Sequence, residues 1–221
     1  MATLPPPPRP LPVPRRSELL ALPAGTSLVR LYRIDPHGTR WDAFRTYGPA
    51  PRARFDHHVP PPGSAADRGI LYVAGDAPTA LVEAFAETRL IDRRDRRPWL
   101  VRFGTVRPVR LLDIGGTWPT RAGASQALAT GDHPERTQAW ARAIVDELDV
   151  DGIRYPSSQR GRPRERRPDA IPPRLWGANL ALFERAADAL PPRPSLHIAL
   201  DHPGLATILG AVAVRYGYDL A

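Results

Sequence analysis

The chain has 221 residues, 42% of them hydrophobic, which suits one domain with a sizeable core. All 31 basic residues are arginine, and against 23 acidic residues they leave a net charge of +8, a balance that favours anionic partners although GC-rich coding alone also raises an arginine count. The lack of cysteine excludes disulfides, thiolate nucleophiles and thiolate metal sites, and the lack of lysine excludes a phosphate loop of the Gly-Lys-Ser/Thr type.

Residues 1–24 open with Pro5-Pro6-Pro7-Pro8 and three further prolines before Arg15. Such a run favours extended polyproline II and cannot form a helix or an inner strand. It reads as a proline-rich N-terminal arm, with residues 25–221 as the folded domain. The start of the chain lacks the apolar stretch of a secretion signal, and no run of about 18 apolar residues occurs, so a cytoplasmic protein without a membrane partner is expected.

Ser27 to Ile34 alternates polar and apolar residues and predicts a strand, closed by a turn at Asp35-Pro36-His37-Gly38. Residues 45–68 read as loop. Gly69 to Ala74 predicts a second strand. Asp76-Ala77-Pro78 opens a helix over Thr79 to Thr88, since proline suits a first helical turn. Trp99 to Val106 and Val109 to Ile114 predict two strands with a turn at Arg107-Pro108. Ala122 to Ala129 predicts a short helix and Glu135 to Leu148 a longer one. On the longer helix Trp140, Ile144 and Leu148 share the core side, and Gln138, Arg142 and Asp146 share the solvent side. Gly152 to Pro156 and Asn179 to Phe183 predict strands, with an arginine- and proline-rich loop at 159–174 between them. Gly204 to Val214 predicts a C-terminal helical extension. Strands and helices mix without regular alternation, so the fold class expected is α+β.

Few residues carry chemistry by pattern alone. His57-His58 are adjacent, whereas metal ligands need spacing that converges on one point, so no metal site is expected. Asp149-Val150-Asp151-Gly152 starts like a calcium loop, but the later acidic ligands are missing. Ser157-Ser158 lack the Gly-x-Ser-x-Gly elbow of serine hydrolases. Taken singly, Glu83 beside Glu87 reads as a solvent-facing carboxylate, and Arg54 as one solvated arginine among many. Tyr72 reads as core and Ser157 as a turn residue.

Four separated segments nevertheless form an ordered set. They are Leu31-Tyr32-Arg33-Ile34, then Ala53-Arg54-Phe55-Asp56, then Leu71-Tyr72-Val73-Ala74 with Glu83 eleven residues beyond the tyrosine, and last Asp151 to Ser158 followed by Asn179 to Phe183. Their order resembles the RES-domain toxin family over about residues 28–185. The resemblance implies an ADP-ribosyltransferase-like mixed β core with flanking short helices, and an enzyme that degrades NAD⁺ at the nicotinamide–ribose bond. It implies the catalytic residues Glu83, Arg54, Tyr72 and Ser157. It also implies NAD⁺ binding by Arg33, Arg54, Tyr72 and Ser157. NAD⁺ is then a substrate and not a cofactor, with inorganic phosphate or water as acceptor. The partner implied is a separate antitoxin with a helix-turn-helix domain; homo-oligomer formation stays open. Departures are Ala53-Arg54-Phe55-Asp56, where the family often has Gly-Arg-Trp-Asn, and a longer stretch at His57–Asp67. Two rivals remain: a protein ADP-ribosyltransferase using the same site, and a non-enzymatic basic nucleic-acid-binding protein, favoured by the net charge.

Overall fold

The computed structural model describes residues 4–34, 39–125, 127–130, 133–159 and 172–221. The expected turn at Asp35–Gly38 and most of the arginine-rich loop, residues 160–171, lie outside the described residues.

The centre is a mixed sheet of eight strands: β1 (Leu19–Leu22), β2 (Ser27–Arg33), β3 (Ile70–Ala74), β4 (Pro98–Gly104), β5 (Val109–Asp113), β6 (Gly152–Pro156), β7 (Ala178–Phe183) and β8 (Leu196–Ala199). Their order across the sheet is β1-β5-β6-β7-β3-β2-β4-β8. Among the strand pairs of this sheet, β5–β6 is parallel and the others are antiparallel. The helices are α1 (Ala77–Ala84), α2 (Trp118–Arg121), α3 (Ala127–Thr130), α4 (Pro134–Glu147) and α5 (Ala206–Tyr216). This is an α+β fold with short helices flanking a mixed sheet. Among the described residues no helix is long and apolar enough to cross a membrane.

The period-2 alternation of the strands sorts the core onto two faces. Leu28, Val73, Phe103, Leu180 and Leu182 pack on one face, which Trp41, Ala186 and Ala189 help to cover. The other face carries two separate clusters. Ile153, Ala181 and Phe183 pack under α4, with Trp118 and Trp140. Val29, Ala74 and Leu100 pack under α1 and α5. The gap between these two clusters is where the site forms.

Residues 4–15 run along the first of them. Leu4 and Leu11 are buried. Prolines cannot donate, so the carbonyls of this stretch need outside donors. The Trp140 indole N–H donates to Pro5 O at 2.8 Å, the Trp118 indole to Pro12 O at 3.1 Å, and Arg136 to Leu4 O at 2.5 Å. Leu11 N–H donates to the Glu147 carboxylate at 2.6 Å.

Three sequence expectations are corrected. The helix foreseen over Ala122–Ala129 is instead α2 and α3, separated at Ala122–Ser125, because Gly123 turns into the left-handed region at φ 84°. Strands β1 and β8 were not foreseen; both are short edge strands, and Leu19-Leu20-Ala21-Leu22 lacks a polar alternation. On α4, Gln138 is buried and not on the solvent side, because the 49–58 segment covers that flank.

Candidate active site

The floor of the site follows from strand register. Tyr155 on β6 faces Asn179 on β7, which faces Ala74 on β3, which faces Val29 on β2. Cross-strand partners point to the same face, so these four side chains form one row. In the next row Ile153 faces Ala181 and Ala181 faces Tyr72. Helix α1 lies beside this floor. Between them is a cavity of about 230 Å³ whose walls include Val29, Leu31, Ala80, Ala84 and Asn179. A larger cleft of about 680 Å³ adjoins it, walled by the Ala50–Arg54 loop and Ser158. Tyr72, Glu83 and Tyr155 line both.

Glu83 is placed by the start of its helix. Asp76 caps α1 by accepting from Thr79 N–H at 2.7 Å, and its other oxygen accepts from Gly177 N–H at 2.8 Å. One carboxylate thus ties the helix carrying Glu83 to the chain returning from Ser157. Ser157 N–H in turn donates to Gly177 O at 3.0 Å. The Ser157 hydroxyl donates to the Glu83 carboxylate in a short hydrogen bond. Glu83 is half-buried and Ser157 buried, so neither the solvent-facing nor the plain turn reading describes them.

The loop carrying Arg54 is held from several sides. Asp56 accepts from Ala50 N–H at 2.5 Å, from Arg45 at 2.8 Å, and from the His58 ring at 2.6 Å. Burial would raise its pKa, but these donors outweigh burial and hold the carboxyl below its usual value. Gln138 donates to Ala50 O at 2.9 Å and to Ala53 O at 3.0 Å. Gly48 must lack a side chain here, since a Cβ would stand 2.6 Å from the His58 ring and 2.8 Å from the Asp56 carboxylate. The loop reaches the floor through Phe55 N–H, which donates to the Tyr72 hydroxyl at 3.1 Å.

Arg54 donates to Leu128 O at 3.2 Å, and its guanidinium lies 5.3 Å from the Phe55 ring centre and 5.6 Å from that of Tyr155. Its Nε is buried without a partner. Burial raises the pKa of both Tyr72 and Tyr155, so both phenols are neutral. The structure therefore brings Glu83, Arg54, Tyr72 and Ser157 together. Arg33 stands apart: its guanidinium lies 5.3 Å from the Phe85 ring centre, and it lines neither cavity.

His57 and His58 lie buried under the Arg54 loop, their rings 5.8 Å apart. Among the described residues no group of His, Asp or Glu stands ready to hold a metal ion. Sequence reasoning gave no role to Tyr155, Asp76 or Gln138. Asp76 was the one with a local signal, an acid just before Ala77-Pro78; the other two depend on contacts far along the chain.

The comparisons with known proteins agree with this architecture. The family model of the RES domain matches residues 30–201. No curated protein matches the sequence. Among solved structures, a chain from the crystal structure of the M. tuberculosis MbcT-MbcA toxin-antitoxin complex is similar in fold, with a TM-score of 0.54 at 16% identity, covering 86% of this chain and 92% of that one. With its RES-domain match extending over most of its length, this chain belongs to the RES family.

Proposed function

We propose that this protein is the toxin of a toxin–antitoxin pair and that it breaks the bond between nicotinamide and ribose in NAD⁺. The observation that carries the reading is Glu83, held by Ser157 where a small apolar cavity meets an arginine-walled cleft. NAD⁺ has the matching asymmetry, with a flat aromatic ring on one side of its scissile bond and an anionic diphosphate on the other. The ring suits the apolar cavity, and Arg54 on the cleft wall suits the diphosphate, with Arg52 beside it paired to Glu87 at 2.6 Å.

The chemistry follows from the placement. The C1′–N1 bond breaks with both electrons going to the ring nitrogen, which leaves as neutral nicotinamide and needs no proton. Positive charge develops on the ribose, as in glycoside hydrolysis. The Glu83 carboxylate stabilises that charge, and the Ser157 hydroxyl fixes its orientation. Neutral Tyr72 and Tyr155 form the wall at the junction. Phosphate attack at C1′ gives an ADP-ribose phosphate; water attack gives ADP-ribose and a proton.

The antitoxin would be a separate chain carrying a helix-turn-helix domain. Support comes from the RES membership and from the similar fold in a toxin–antitoxin complex. The decisive assay mixes purified protein with NAD⁺, with and without phosphate, and follows nicotinamide release. Glu83→Gln keeps the shape but removes the charge, and turnover should fall by on the order of 10²–10³-fold. Intact NAD⁺ after prolonged incubation with the wild-type protein would refute the reading. Labelled ADP-ribose appearing on a macromolecule would instead select protein ADP-ribosylation. Salt-dependent nucleic-acid binding without NAD⁺ turnover would select the third reading.

A further inference from the structure

The smaller cavity has one polar group on its floor that the mechanism leaves unused. Asn179 is 6% exposed, and its side-chain N–H₂ has no hydrogen-bond partner. A buried amide donor without a partner is costly, and native proteins rarely leave one so without a ligand or water to satisfy it. Its register partners Tyr155 and Ala74 fix the side chain on the face that the cavity opens from. Around it Val29, Leu31, Ala80 and Ala84 give apolar walls, with Tyr72, Tyr155 and Glu83 where the cavity meets the cleft.

The charges nearby restrict what the amide can meet. Arg30 borders the cavity, but its guanidinium donates to the carbonyl oxygens of Trp41 and Ala43. Among the described residues no other cation lines this cavity, and Glu83 adds a carboxylate at the mouth. An anionic ligand would lose its hydration and gain only neutral donors, the Asn179 amide and the phenols of Tyr72 and Tyr155. A neutral aromatic ring bearing a carbonyl oxygen satisfies both the apolar walls and the unpartnered Asn179 donor.

We infer that Asn179 is the specificity residue for the leaving group, with its N–H₂ donating to the carboxamide oxygen of nicotinamide. This rests on the NAD⁺ reading and deepens it: Asn179 selects the carboxamide ring over the nicotinate ring, and it makes free nicotinamide a ligand of the cavity. The hydrogen bond also sets the ring's rotation relative to the ribose that Glu83 faces.

The test is direct binding of nicotinamide and of nicotinate to the intact protein, by calorimetry or ligand-observed NMR, in wild type and in Asn179→Leu. Wild type should bind nicotinamide and discriminate strongly against nicotinate. The leucine variant should bind nicotinamide about tenfold more weakly, the loss expected for one neutral hydrogen bond to a buried group. Its melting temperature should rise, because an unpaired amide has been replaced by an apolar side chain in an apolar wall. That pairing of weaker binding with higher stability is not expected of a merely structural residue. If the leucine variant does not fold, Asn179→Ser is measured in its place with the same expected loss. Equal nicotinamide binding in variant and wild type, no binding to wild type, or preference for nicotinate would overturn the inference. Binding is read without turnover, so an inactive wild type that still binds nicotinamide through Asn179 would sink only the catalytic reading.

Discussion

Gln138 is where a single residue does most to hold the site together without lining the Glu83 junction. Its side-chain amide donates to both Ala50 O and Ala53 O, the two carbonyls that bracket the approach to Arg54. Gln138→Leu keeps the volume but leaves both carbonyls without their donor. A loss of about 1–3 kcal/mol in unfolding free energy is expected, measured by urea denaturation. If the proposed reaction holds, KM for NAD⁺ should rise more than kcat falls, because the arginine loop is loosened while Glu83 and Ser157 stay in place. An unchanged KM in a destabilised variant would limit Gln138 to structure. Helical periodicity assigned Gln138 to solvent, because Trp140 and Ile144 mark only the deepest part of the helix face. Periodicity sees one side of α4 and cannot know that residues 49–58 fold back over its flank. Glu83 was misread in isolation for the same reason: the hydroxyl that engages it comes from Ser157, in a different strand–loop unit.

At the scale of elements, the N-terminal segment is the clearest case of composition stating what cannot form and not what does. Its prolines rule out a helix and an inner strand, and residues 4–15 form neither. Composition did not indicate that Leu4 and Leu11 reach the core, nor that two buried tryptophans direct their indole N–H groups at proline carbonyls. Trp118 and Trp140 face each other edge-on with ring centres 6.0 Å apart, and the segment closes over them. Leu11→Ala should therefore behave as a core truncation and not as a change in a tail. A destabilisation of about 2–4 kcal/mol is expected in denaturant unfolding. Tryptophan fluorescence in the native state should shift to the red as water reaches the indoles. A change below about 0.5 kcal/mol would show that the segment is not anchored in solution.

For the whole molecule, the inner strands β2 to β7 were legible because alternation and turn residues mark them, and the edges β1 and β8 were not, since a short edge strand carries little pattern of its own. The net charge of +8 also reads differently in three dimensions. Several arginines are used within the fold: Arg45 on Asp56, Arg107 on Asp151 and Asp188, Arg121 on Glu18, and Arg154 on Asp113 in a buried pair. These pairs give four of the 31 arginines structural roles and leave the net charge of +8 unchanged, so the arginine count by itself does not measure how many cations face a partner.

The same buried polar groups set the response of the whole fold to acid. Burial, aided by the neighbouring charges of His58 and Arg68 and opposed by Asp56 and Asp146, pushes His57 down from 6.5 to about 4. A base with a lowered folded pKa is stabilised by folding in its neutral form. Its full contribution is present above about pH 6.5 and is lost as pH falls toward 4, because the unfolded chain takes up the proton first. The size of that loss is about 3 kcal/mol by the linkage relation, to order of magnitude. Glu18 continues the trend at lower pH. The Arg121 hydrogen bond outweighs burial and holds it at about 2 against an ordinary 4.5, so its stabilisation is full above about 4.5 and is lost between there and 2. Stability should therefore fall through two successive windows. Both ring nitrogens of His57 lack a partner and its ring packs edge-on to Phe183 at 4.9 Å, so an apolar replacement is tolerable. In His57→Leu the urea midpoint should lose most of its slope between pH 6.5 and 4 while keeping the later fall; Glu18→Gln should keep the upper fall and lessen the later one, to which the lowered Asp56 carboxyl also contributes. The two residues share no partner, so the double variant should show both effects together. A His57→Leu profile parallel to wild type across the upper window would mean that the imidazole finds a proton acceptor in solution, and the acid response would then have to be assigned elsewhere.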